Sequence, residues 1–129
     1  MIKQIKEFAH EKPRIRVKHI VLGTHMWPEA EEVFPEVGFL QHEHHHDFHV
    51  YVECNVNHHD REIEFIMLRI ELMKMFDRYY DGDYVKRFGT RSCEMIAADV
   101  RDHLKNIYGD RSWKVSVFED DIQGGIIED

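Results

Sequence analysis

Leu40-Gln41-His42-Glu43-His44-His45-His46-Asp47-Phe48-His49, running straight into Val50-Tyr51-Val52-Glu53, decides how this chain reads. Five histidines within eight positions precede an alternating apolar run, which places imidazoles at the mouth of a β-strand. Side chains two apart on a strand share a face, so His44 and His46 point with Phe48, Val50 and Val52, while His45, His49 and Tyr51 take the other side. One face then offers a metal site above a core. Histidine-rich tracts also occur as solvated loops or adventitious metal binders, but an internal tract is not placed as a purification tag would be. A further histidine upstream, His25, strengthens the metal reading.

Working outward, 129 residues make one domain, 1–129, with a polar lead-in over 1–12. Hydrophobic residues at 43% and charged residues at 33% are the balance of a globular chain in water, and no segment has the apolar length of a membrane span. Met1-Ile2-Lys3-Gln4-Ile5-Lys6-Glu7-Phe8 lacks the apolar core of a secretory signal, so a cytoplasmic protein is expected. Cys54 and Cys93 form no CxxC pair and read as reduced thiols. A formal charge of −8 disfavours nucleic acid as a partner. Arg14, Arg16 and Lys18 still offer a local basic patch to a phosphorylated small molecule.

Arg14 to Trp27 alternates basic and apolar residues and predicts a strand, with His25 near its end just before Pro28. Glu29 to Gln41, punctuated by Pro35 and Gly38, reads as a long loop. A second strand over about 46–56 returns antiparallel, and His58 and His59 fall in its closing turn. From about Glu62 the period changes to 3.6. Phe65, Leu68, Leu72 and Met75 or Phe76 form a helical stripe, widened by Ile66, Ile70 and Met73, which predicts packing on two sides. Asp77 to Arg91 reads as irregular. A second helix starts after a Ser92 cap, buries Ile96, Val100, Leu104 and Ile107, and ends at Gly109. Cys93 lies in its first turn, where the helix dipole favours a thiolate, although a buried inert thiol is the plainer reading. Trp113 to Glu119 alternates as a third strand, and Gly124 to Ile127 makes a short fourth. The order ββααββ predicts an α+β domain: an antiparallel sheet with two helices on one face.

Thr24-His25-Met26, His44-His45-His46-Asp47-Phe48-His49-Val50-Tyr51-Val52, Arg61-Glu62-Ile63-Glu64-Phe65, Cys93-Glu94-Met95-Ile96-Ala97 and Val115-Ser116-Val117-Phe118-Glu119 occur in that order. Together, over about residues 14–128, they resemble the motifs of the 6-pyruvoyl-tetrahydropterin synthase and 6-carboxytetrahydropterin synthase family. The family pattern is a strand ending in His, then His-Gly-His-Asn-Tyr/Phe opening the second strand. An Asp-Phe pair leads into the first helix, Thr-Ser/Ala-Glu-Asn starts the second, and Val-x-Val-x-Glu forms the third strand. The resemblance implies a T-fold whose sheets join around a trimer, often doubled to a hexamer, with sites shared between subunits. By residue matching it implies zinc on His25, His44 and His46, with Glu119 anchoring the amino-pyrimidine edge of a pterin. Three imidazoles with an open fourth position suit catalytic zinc. The parent reaction is a lyase step on 7,8-dihydroneopterin triphosphate, so that compound or a related pterin or deazapurine-pathway substrate is expected.

Two departures bear on activity. The family's cysteine, a few residues before His-x-His, is replaced by the run Gly38-Phe39-Leu40-Gln41. Its Asp-His pair aligns with Asp77-Arg78, which keeps the aspartate but puts a permanently protonated guanidinium where the base should be. Asp77 and Glu43, the carboxylate adjacent to His44, are the remaining catalytic candidates. The alternative is a non-catalytic T-fold protein that binds zinc and a pterin or purine. A cupin-type metalloprotein fits less well, since Val50 and Tyr51 stand where its first motif needs glutamate.

Overall fold

Two alternating segments form the twelve-residue strands β1 (Arg14–His25) and β2 (His44–Asn55). They pair antiparallel without a bulge, from Arg14 opposite Asn55 to His25 opposite His44. The two-residue β3 (Lys86–Arg87) lies parallel to β1 at Gly23 and Thr24. Strand β4 (Lys114–Glu119) pairs antiparallel with β2, and β5 (Gln123–Glu128) pairs with β4, giving the sheet order β3-β1-β2-β4-β5. The computed structural model describes residues 11–129, and the lead-in before Glu11 lies outside the described residues.

This register sets which side chains share a face. Val17 and Val21, Phe48, Val50 and Val52, and Val115 and Val117 are all buried on one side of the sheet. Between β1 and β2 lie the short helix α1 (Ala30–Val33) and a 3-10 segment, Pro35–Gln41. The covering layer consists of α2 (Phe65–Tyr79) and α3 (Cys93–Tyr108), which bury Leu68, Leu72 and Phe76, and Ile96, Val100 and Leu104 respectively. Full burial of each such side chain contributes roughly 1.5–3 kcal/mol, so this face dominates the core. Trp113, fully buried, satisfies its indole by donating to the Gly109 carbonyl at 3.0 Å. Helix starts are fixed by side-chain caps: Glu64 accepts from the Met67 N–H and Ser92 from the Met95 N–H, each at 3.1 Å. No helix among the described residues is long and apolar enough to cross a membrane.

Four sequence expectations need correction. The segment Glu29 to Gln41 is α1 plus the 3-10 segment instead of a plain loop, with Ala30 fully buried at its start. β2 begins at His44, so the histidine pair lies within the strand. The connection after Asp77 is partly regular. α2 continues to Tyr79, and β3 adds a fifth, parallel strand that two residues of sequence pattern could not announce. The widened stripe of α2 is uncovered: Phe65, Ile66, Ile70 and Met73 are exposed, as is Ile107 in α3. α2 therefore packs on one side only among the described residues.

Candidate metal centre

His25 closes β1 and His44 opens β2 directly opposite it; His46 follows two residues on. Glu119 ends β4 opposite Phe48, which puts its carboxylate on the same, helix-covered face. The His25 and His46 rings stand edge-on to fully buried Phe48, with centroids at 5.1 and 5.8 Å. One ligand atom from each of His25, His44, His46 and Glu119 lies within 4.8 Å of all the others.

Each imidazole is held by its Nδ1. His25 Nδ1 is 2.9 Å from the Arg91 carbonyl, His44 Nδ1 is 2.9 Å from the His42 carbonyl, and His46 Nδ1 is 2.8 Å from Asp120 Oδ2. Carbonyls and carboxylates only accept, so each Nδ1 carries a proton and Nε2 is the ring atom left to face the cluster. His25 Nε2 and His44 Nε2 are buried with no hydrogen-bond partner. Glu119 Oε2 lies 2.7 Å from His25 Nε2 and 3.6 Å from His46 Nε2, so in the absence of a metal a second proton on His25 would pair with this carboxylate. Ring nitrogens converging beside a buried carboxylate need positive charge among them, supplied by protons on the rings or by a metal ion in their place. Three nitrogen donors with outer-shell acceptors are the ligand set zinc takes. The residues fit the metal.

Local electrostatics follow from this crowding. Burial opposes charging of His25, but the Glu119 carboxylate and the Arg91 carbonyl outweigh it and raise its pKa. His25, with His46 and His44 adding positive potential, lowers the Glu119 pKa against the opposing effect of burial.

The supports are themselves built in. Asp120 accepts from the Asp47 N–H at 3.0 Å and from His46, while its own N–H donates to the Asp47 carbonyl at 2.8 Å. Its φ of +54° is tolerated because aspartate is among the few non-glycine residues that enter the left-handed region readily. Behind His25, the Arg91 guanidinium binds both oxygens of Asp99, and Tyr80 donates to Asp99 at 2.7 Å. The Arg91 carbonyl that orients His25 is thereby held in place.

The four residues form the floor of a cavity of about 580 Å³. Trp27, Phe39 and Leu40 supply apolar walls, and Ser92, Cys93 and Glu94 bring the start of α3 to its edge. Of the residues matched in the sequence, His25, His44, His46 and Glu119 come together. Glu43 and Asp77 do not line the cavity. Glu43 is exposed just before β2, and Asp77 pairs with the buried Lys86 Nζ at 3.2 Å. Cys93 does line it, but burial, with Glu119 and Glu94 nearby, pushes its thiol up to about 12, against the thiolate that a helix N-terminus favours. Sequence reasoning missed Asp120 and Glu94. The available signals were an Asp-Asp pair following a strand and a carboxylate in the first turn of α3.

No protein-family model matches this sequence, and no curated protein matches it. Solved structures do. The 6-pyruvoyl tetrahydropterin synthase of Caenorhabditis elegans superposes with a TM-score of 0.64 over 91% of this chain and 96% of its own, at 13% identity. The fold is that of the tetrahydropterin synthases, the T-fold. The Plasmodium falciparum 6-pyruvoyl tetrahydropterin synthase agrees, with a TM-score of 0.61 over 92% of this chain and 98% of its own, again at 13% identity. Both superpositions run nearly the full length of this T-fold chain, so the resemblance read from the ordered motifs holds at the level of fold.

Proposed function

We propose that the protein is a zinc-dependent lyase of the tetrahydropterin synthase type, acting on 7,8-dihydroneopterin triphosphate or a related pterin. The observation that carries this reading is the trio of imidazoles, each fixed through Nδ1 and each offering Nε2 to one point in a cavity. His25, His44 and His46 would hold zinc, whose Lewis acidity would acidify the hydroxyls of a bound side chain. The Glu119 carboxylate would accept from the ring N–H and amino group of the pterin, and Trp27, Phe39 and Leu40 would shield the bound ring from water. Proton transfer falls to Glu94, the second carboxylate lining the cavity, because Glu43 and Asp77 stand outside it and burial raises the Cys93 thiol away from a base's range.

Two open edges support an oligomer built on a trimer. β5 has no outer partner among the described residues, and β3 covers β1 at Gly23 and Thr24 alone. A cytoplasmic setting suits the free cysteines Cys54 and Cys93.

A specific feature favours a second reading, a zinc and pterin binder without turnover: Gly38 to Gln41 bring Phe39 and Leu40, and no cysteine, to the cavity wall. Anaerobic incubation of the zinc-loaded protein with dihydroneopterin triphosphate separates the two. The lyase reading expects triphosphate release and a new pterin product by mass spectrometry, reduced at least tenfold in Glu94→Gln. Saturable binding without release, abolished by Glu119→Ala, would establish the binder instead.

A further inference from the structure

We propose that Glu119 is itself the fourth ligand of the metal in the ligand-free protein, so that an incoming molecule reaches the metal only by drawing this carboxylate away. The inference rests on the reading of His25, His44 and His46 as zinc ligands. It differs in closing the position that a three-histidine site leaves open.

The geometry brings the Glu119 carboxylate within reach of an ion held by the three histidines. Bonds of about 2.0–2.1 Å to a tetrahedral zinc place donor atoms roughly 3.3 Å apart. Glu119 Oε2 lies 2.7 Å from His25 Nε2 and 3.6 Å from His46 Nε2, values that straddle this edge, and all four donors fall within 4.8 Å of one another. Glu119 has no Lys or Arg partner among the described residues; its two ion-pair neighbours are these imidazoles. A carboxylate only 19% exposed and facing three ring nitrogens stays there by pairing with positive charge, and a metal ion bound by those nitrogens would supply it.

The backbone cannot withdraw it. Glu119 is paired with Phe48 on one side and Gln123 on the other. The next residue, Asp120, is clipped to Asp47 in both directions. The carboxylate can leave the metal only by rotating its own side chain. Rotated toward the cavity, it would be free to accept the paired N–H groups of a heterocycle, so binding of the ring and opening of the metal become one event. A simple anion lacking those donors gains nothing from Glu119 and meets a closed site.

Cobalt(II) substituted into the tag-free full chain tests this, with azide as the probe of an open position and visible absorbance as the readout. Wild-type protein is expected to bind one cobalt and to respond to azide only weakly. Glu119→Gln, which keeps the side-chain volume, and Glu119→Ala are expected to bind azide at least tenfold more tightly. Their cobalt affinity should fall more than tenfold, since even an outer-shell partner of a metal ligand is worth that much. Thermal unfolding of the metal-free proteins checks that both variants are folded; should Glu119→Ala lose its fold, Glu119→Gln decides. Azide binding or cobalt affinity equal to wild type in Glu119→Gln overturns the proposal while leaving the three-histidine site standing. Failure of the wild type to take up cobalt at all overturns both.

Discussion

Replacing Asp120 by asparagine isolates how the protein aims one metal ligand. Asn tolerates the left-handed φ of +54° and keeps a carbonyl oxygen to accept from the Asp47 N–H, so the turn survives. The lost group is the carboxylate oxygen 2.8 Å from His46 Nδ1. An amide NH2 in its place donates to Nδ1, which moves the imidazole proton to Nε2 and removes the lone pair from the metal side. Outer-shell partners of metal histidines are worth about ten- to a hundredfold in affinity, or about 1.4–2.8 kcal/mol. The expected result is a zinc dissociation constant raised by that factor in a chelator-competition titration, with little change in the unfolding of the metal-free protein. Asp120→Ala and Asp120→Gly complete the test. Both should weaken zinc similarly, but alanine at a positive φ should cost about 1–2 kcal/mol more stability than glycine. Unchanged zinc affinity in Asp120→Asn would refute the claim that this carboxylate sets the tautomer of His46.

Three further outcomes follow from the surrounding structure. A Cβ on Gly23 would stand 2.4 Å from Phe88 Cε2, so Gly23→Ala should displace a buried ring and lower stability by about 1–3 kcal/mol in urea unfolding. Asp99→Asn breaks the pair with Arg91 that holds the carbonyl behind His25, and should lower both the melting temperature and zinc affinity, the latter several-fold. Glu62 is held by the Arg111 guanidinium, then by the Asn57 N–H, and its carboxyl falls to about 2. Its contribution to stability is therefore complete above the ordinary glutamate range and is lost as pH falls toward 2. Glu62→Gln should be less stable than wild type at pH 7, with the gap closing over that window in acid melts.

Much of the fold was legible because strand parity and helix caps are local. The alternation in β1 and β2 placed the ends of both strands within two residues, and Ser92 and Gly109 marked the ends of α3. The same parity put His44 and His46 on the buried face. What stayed hidden depends on distant partners. β3 is held by contacts such as Phe88 N–H to the Thr24 carbonyl at 2.8 Å, and two residues carry no period of their own. Asp120 reads as turn chemistry until β4 is laid against β2, which swings it onto His46. Glu43 was chosen for adjacency to His44, but adjacency along an extended chain sends side chains to opposite sides. Asp77 was chosen by alignment, and a buried lysine claims it. The uncovered stripe on α2 has the spacing of a core face, which sequence alone cannot distinguish from a surface awaiting another chain.

The central claim is that His25, His44 and His46 hold one zinc, and metal content tests it most directly. Tag-free wild type, His25→Ala and His44→Ala would be washed with a weak chelator, reloaded with limiting zinc and measured by native mass spectrometry. The neighbouring His42, His45 and His49 remain in every sample as an internal control for adventitious binding. One zinc per chain in the wild type and loss of it in both variants is the predicted result. Near-stoichiometric zinc retained in both variants would contradict the account.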